Sequence, residues 1–230
     1  MANKVTAQQI EQLYVFTRRH FVEYYDLQTE LVDHLANAIE TRWHYYPQLT
    51  FDDALKLEFK KFGIYGFSDV VEQRQAALAK RYRKLIWGYF KDFFKLPQIL
   101  ITLIGFLATY KILEYEKLLF IGAAFALIVV IIVKTIGYKK QYDKRLKETG
   151  KRWFLEETIY RCGGIAGMVS LPFQFFNILT DDNSSPLLLL SLSGILVIAI
   201  LLSYIVLFII PERAEEHLAV VYPEYKLEKL

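Results

Sequence analysis

Residues 187–210 read LLLLSLSGILVIAILLSYIVLFII. These 24 residues carry no charge. As a helix rising about 1.5 Å per residue they reach about 36 Å, more than the roughly 30 Å hydrocarbon core of a bilayer. Only a helix satisfies every backbone N–H and C=O inside such a run, so the stretch predicts a membrane-crossing helix. Pro211 and Glu212 close it.

Three more apolar runs precede it. The first covers about 96–113, with Pro97 in its opening turn, where a missing N–H costs little. Lys111, near its far end, can extend its ammonium to the interface. The second covers about 118–138. Its uninterrupted part, Leu118–Val133, is 16 residues and about 24 Å long, so Lys134 has to snorkel while Thr135–Tyr138 continue the helix. The third covers about 160–180. Gly163 and Gly167 form a small-xxx-small pair there, followed by Pro172, Gln174 and Asn177. Two readings exist for these residues: a face for helix packing, or a kinked helix lining a small polar cavity. Packing is favoured, because no acid or histidine accompanies the amides as an ion relay would require.

Lysine and arginine set the orientation. The segment before the first run holds six and the one between the second and third holds eight, against two and none in the other two connections. That contrast predicts that the N-terminal module, the basic middle loop and the tail 211–230 all lie in the cytoplasm. A bacterial inner membrane is the expected location. The start MANKVTAQQIEQLY lacks the apolar core of a signal peptide, so the first apolar run is expected to direct insertion. The single cysteine, Cys162, allows no internal disulfide.

The stretch 80–95 alternates charge and ring. Arg81, Arg83, Lys84, Lys91 and Lys95 are interleaved with Trp87 and other aromatics. Basic residues favour anionic headgroups and aromatic rings favour the membrane interface. An interfacial helix on anionic lipid is therefore expected; a nucleic-acid patch is the competing reading. Nucleic acid is not an expected partner of the N-terminal module either. Residues 1–79 hold eleven acids against eight Lys/Arg, and phosphate neutralisation needs a basic face.

Residues 1–79 read as a small all-α domain. Thr6 with Gln9 forms a capping box, Thr50 with Asp53 resembles one, and Asp26 and Ser68 suit N-caps. Gly63 suits a left-handed C-terminal cap, and Pro47 ends the second helix at Tyr46. Helices are predicted near 6–24, 27–45, 51–62 and from 69 onward. Ile10, Leu13, Tyr14, Thr17, Phe21 and Tyr24 make the apolar face of the first. Within ELVDHL, Glu30–Leu35, Glu30 and His34 share a helix face. A helical zinc protease needs two such histidines, and only one is present, so a packed histidine finding a carboxylate or backbone partner is the preferred reading.

The order ELVDHLANAIE, TFDDALKLEFKKFG, GFSDVVEQRQ resembles the HTH-associated α-helical signalling domain and the related permease prefix domains. Leu31, His34, Leu35, Ile39, Ala54, Phe62 and Gly63 carry the match, over roughly residues 10–75. The resemblance implies a cytoplasmic helical domain ahead of transmembrane helices, acting in signalling or regulation without catalysis.

The expectation is thus an all-α protein: a cytoplasmic helical domain followed by a four-helix transmembrane bundle. It would be non-enzymatic, with no cofactor or metal, and with a cytoplasmic protein partner. The spans would anchor it and serve a homodimer. A transport accessory or small transporter using the polar face of the third span is the alternative. A lipid-interface enzyme using Glu30, His34 or His217 ranks below both, because no nucleotide loop, serine elbow or cysteine–histidine pair accompanies them.

Overall fold

The computed structural model describes residues 4–161, 185–222 and 225. Among them every regular element is helical: α1 Ala7–Arg19, α2 Tyr25–Tyr45, α3 Phe51–Lys60, α4 Ser68–Asp92, α5 Gln98–Tyr115, α6 Lys117–Thr149, α7 Phe154–Tyr160, α8 Pro186–Tyr204, a π-helical turn Ile205–Ile209, α9 Ile210–Glu212 and α10 Ala214–Val221. Packing divides the chain into two units. The first is Met1–Lys80 with Thr149–Phe154; the second is Arg81–Glu148 with Leu155–Leu230. The border falls inside α4, which runs unbroken from Ser68 to Asp92, through most of the expected linker.

In the first unit, the Gln9 N–H donates to Thr6 Oγ1 at 3.3 Å and the Thr6 N–H to Gln9 Oε1 at 2.9 Å, completing the capping box. The Asp53 N–H donates to Thr50 Oγ1 at 3.2 Å. Gly63 takes φ +75° beyond the end of α3, a conformation glycine adopts without strain. Gly66 is also left-handed, and a Cβ there would meet the Phe59 ring at 3.1 Å. The core gathers Leu13, Val22, Leu27, Leu31, Leu35, Ile39, Trp43, Ala54, Leu55 and Phe67. The Trp43 indole N–H donates to the Leu49 carbonyl at 3.0 Å, so the ring is buried without an orphaned donor.

Two expectations at the first turn need correction. The first helix ends at Arg19, five residues short of the predicted 24, and Phe21 is 87% exposed instead of facing the core. The His20 Nδ1–H donates to the Phe16 carbonyl at 2.8 Å, and Phe21 turns to φ +64°. This reversal swings Val22 into the core, where the Gln28 amide donates to its carbonyl at 2.6 Å. Asp26 is not an N-cap: α2 begins at Tyr25, whose N–H donates to the Arg152 carbonyl at 2.6 Å. A distant backbone group therefore satisfies one of the donors that a cap would otherwise take.

In the second unit three helical stretches among the described residues are long and apolar enough to cross a membrane: Gln98–Tyr115, Lys117–Thr149 and Pro186–Glu212. The expected third span lies outside the described residues, except for its first two positions. Leu113, Phe120, Ala124, Leu192 and Leu196 bring α5, α6 and α8 together. Farther along, Ile131 of α6 packs on Val206 and Leu207 of the π-helical turn. Large apolar side chains such as Leu100, Ile101, Ile104 and Leu107 on α5 face outward, as lipid-facing residues do. The basic segment after Tyr138 is not a loop, because α6 continues through it to Thr149. Lys134 lies with its ammonium 4.5 Å from the Phe208 ring centre, a cation–π contact within the unit.

Candidate docking groove

One face of α2 and the end of α3 enclose a groove of about 530 Å³ in the first unit. His34, Leu35, Ala38, Thr41, Arg42 and Tyr45 line it from α2, recurring at helical spacing. Tyr46 follows at the helix end, where the residue before Pro47 leaves the helical conformation at φ −134°. Glu58, Lys61 and Phe62 close the other side. Leu35, Ala38, Phe62 and the tyrosine rings give apolar walls, and the outward rings of Tyr45 and Tyr46 are exposed.

The polar part is centred on Glu58, only 4% exposed. Its Oε1 accepts from Arg42 Nε at 2.6 Å and its Oε2 from Lys61 Nζ at 2.6 Å. Burial by itself would raise the Glu58 pKa. The hydrogen bonds from Lys61 and Arg42, and their positive charges, outweigh it and hold the carboxyl below its usual range. The two cations and one carboxylate leave the groove with a net positive charge.

The structure disperses the residues of ELVDHL. Glu30 pairs with Arg74 at 2.9 Å on an exposed surface. His34 is exposed at the groove rim, its ring 6.3 Å from that of Phe62, and does not join the core with the other matched residues. Leu31, Leu35, Ile39 and Ala54 are buried in that core, and Phe62 packs against it. Among the described residues no three His, Cys, Asp or Glu side chains gather as a metal site would need. His217 lies in the second unit, where Nε2 is 3.2 Å from the Tyr89 hydroxyl.

A second constellation in the first unit has no counterpart in the sequence reading. Residues 149–154 strap across the start of α2. The Lys151 ammonium sits 4.3 Å from the Tyr25 ring centre, and Arg152 lies over Tyr24 while pairing with Glu23. Trp153, buried, meets Tyr25 edge to face at 5.2 Å, and Phe154 meets Tyr24 at 5.1 Å. Sequence signals of spacing act over a few residues, so contacts across more than 120 positions leave no local trace.

Of the expected interface residues, Arg81, Arg83, Lys84, Trp87, Lys91 and Lys95 are all exposed. They do not form one surface. Arg83, Lys84, Trp87 and Lys91 share a face of α4, whereas Lys95 lies beyond the helix end and pairs with Asp92 at 2.7 Å. The positive charge of Arg81 helps to hold the His217 pKa down. Gly163, Gly167, Pro172, Gln174 and Asn177 lie outside the described residues.

Near the end of α6, Arg145 bonds Glu156 at 2.6 Å and stacks on the Tyr225 ring at 4.4 Å. The Tyr225 hydroxyl donates to Glu156 at 3.2 Å, and the Tyr142 hydroxyl donates to Glu157 at 3.2 Å. Tyr225 thus ties the tail to the basic segment.

No protein-family model, curated protein or solved structure matches the chain.

Proposed function

We propose that the chain is a non-enzymatic integral membrane protein whose N-terminal unit lies in the cytoplasm and receives a protein partner in the α2–α3 groove. The observation that carries this reading is the groove itself: apolar walls, two exposed tyrosines at its mouth, and a polar floor whose one acid is already tied to two cations. Tyrosine and arginine are the residue types that concentrate binding energy at protein interfaces. A carboxylate held by Arg42 and Lys61 is poorly placed to act as a general base, so the groove suits recognition better than catalysis. The resemblance to HTH-associated signalling domains supports the same assignment, and the three apolar helices supply the anchor.

Site-directed photocrosslinking in the full chain tests it. A photoreactive residue at Tyr46 should give a discrete adduct in cells that the same residue at Glu11, on α1, does not give. A Tyr45→Glu substitution should abolish that adduct. Equal labelling from both positions would overturn the reading. Orientation is tested separately, with an impermeant thiol reagent on a Cys162→Ser chain carrying one cysteine at position 6 or 181. The cytoplasmic assignment requires position 181 alone to label from outside.

A further inference from the structure

The part of α4 that belongs to the second unit, from Arg81 onward, has one packed side and one exposed side. Tyr82 is buried, Ile86 packs into the cluster around Ile131 and Leu207, Tyr89 meets His217, and the Phe93 ring lies 6.2 Å from that of Tyr204. Those residues fix which side of the helix faces inward. The opposite side presents Arg83, Lys84, Trp87 and Lys91, at spacings of three and four that align them in a stripe. Trp87 is 55% exposed, an unusual placement for so large an apolar ring. It is held by a stacked contact with Phe90 at 5.4 Å and by Lys91, whose ammonium lies 5.6 Å from its ring centre. Phe94, also exposed, extends the aromatic edge, its ring 5.1 Å from that of Phe90. Among the described residues, Arg83 and Lys84 have no acid partner.

We infer that Arg83, Lys84 and Lys91 bind the phosphates of anionic phospholipids while Trp87 enters the headgroup layer beside them, and that Lys95 takes no part. The partner follows from two features together. The stripe combines uncompensated positive charge with an aromatic edge, the pair of properties that an anionic bilayer surface matches. It also ends only six residues before α5, a helix long and apolar enough to cross the membrane, so it lies near an interface by chain connection alone. The exclusion of Lys95 follows from the structure too, because Asp92 neutralises it. The inference rests on the membrane reading of α5, not on the groove.

The test uses the full chain reconstituted in phosphatidylcholine vesicles containing a minority of phosphatidylglycerol, with bromine on the acyl chains of one lipid or the other. Bromine quenches tryptophan at contact. Trp43 and Trp153 are only 7% and 2% exposed, so the lipid-dependent signal belongs to Trp87 and should vanish in Trp87→Phe. At equal mole fraction the brominated anionic lipid should quench more strongly. Arg83→Gln, Lys84→Gln and Lys91→Gln should each lower that preference roughly fivefold, the effect of about one charge near a lipid surface. Lys95→Gln should leave it unchanged. These positions are exposed, and unchanged thermal unfolding of each variant confirms that folding is intact. Equal quenching by both lipids in the wild-type chain overturns the inference, as does an equal loss in the Lys95 variant. Stronger protection of Trp87 by single-stranded nucleic acid than by anionic vesicles overturns it in favour of the other polyanion. Failure of the chain to float with vesicles would instead overturn the membrane reading beneath it.

Discussion

The Tyr138 hydroxyl donates to the Leu207 carbonyl at 2.7 Å, linking α6 to the π-helical turn of the last apolar helix. Leu207 lies four residues before Pro211, which has no N–H to return to it. Its carbonyl therefore loses its α-helical donor. Around it the backbone widens, and the Ile210 N–H donates to the Ile205 carbonyl, five residues back. An unpaired carbonyl in an apolar surrounding is costly, and a tyrosine from the neighbouring helix supplies the missing donor.

Tyr138→Phe removes that donor while keeping the ring. The expected cost is about 1 kcal/mol, in the range of interhelical hydrogen bonds in membranes. Pro211→Ala restores an N–H four residues after Leu207. In that background Tyr138→Phe should cost markedly less. Reversible unfolding of the four chains in detergent gives the coupling directly; identical costs in the two backgrounds would show that the hydroxyl is not compensating for proline.

Glu58 should make the first unit sensitive to acid. Its carboxyl is held below the usual value of 4.5, so the ionised form is favoured in the folded state. The stabilisation is complete above that unfolded value and is lost as pH falls through the lower folded one. Protection of the α2 and α3 amides, measured relative to their intrinsic exchange rates at each pH, should fall on acidification below about 4.5, and Glu58→Gln should flatten the response. The same substitution removes an acceptor from Arg42 and Lys61. Both can reach water, so the cost at neutral pH should be only about 1–2 kcal/mol.

The local parts of this fold were legible before any coordinates. The capping box at Thr6, the cap at Thr50, the left-handed Gly63 and the stop at Pro47 each depend on residues within a few positions of one another. The apolar runs near 96–113, 118–138 and 187–210 needed nothing beyond length and hydropathy. What failed was governed by distant contacts. Asp26 has the chemistry of an N-cap, but the carbonyl of Arg152 meets the first N–H of α2 instead. Phe21 fits the helical period, but the chain had already turned so that Val22 could be buried. The groove was half visible: His34, Leu35 and Phe62 stood out from the resemblance, whereas Arg42, Glu58 and Lys61 looked like ordinary surface charges until folding joined them.

The strap at 149–154 should be severable without loss of the apolar helices. Trp153→Ala removes a buried ring from the first unit, a change that costs about 3–5 kcal/mol at well-packed sites. Limited proteolysis of the full chain should then cut after Lys151 or Arg152, positions protected in the wild type by their contacts with Tyr24 and Tyr25. Helicity of α5, α6 and α8 should persist after the cut. A wild-type chain cleaved there as fast as the variant would mean that the strap gives no protection.

His217 should make the docking of α10 depend on pH near neutrality. Burial pushes its pKa below the usual 6.5; nearby Glu216 pulls it up, while Arg213 and Arg81 push it down. The neutral ring, facing the Tyr89 hydroxyl, is thus the form that the folded state favours. Below 6.5 the unfolded state binds the proton more readily than the folded one, so stability rises with pH through this window and is complete above it. Acidification from neutral pH through 6.5 should therefore loosen α10, and a spin-label pair on Gly88 and Val220 should report a broader distance distribution. His217→Gln keeps a neutral polar side chain and cannot titrate, so its distribution should stay the same across that range. Loosening that survives the substitution would assign the effect to Glu216 or another acid.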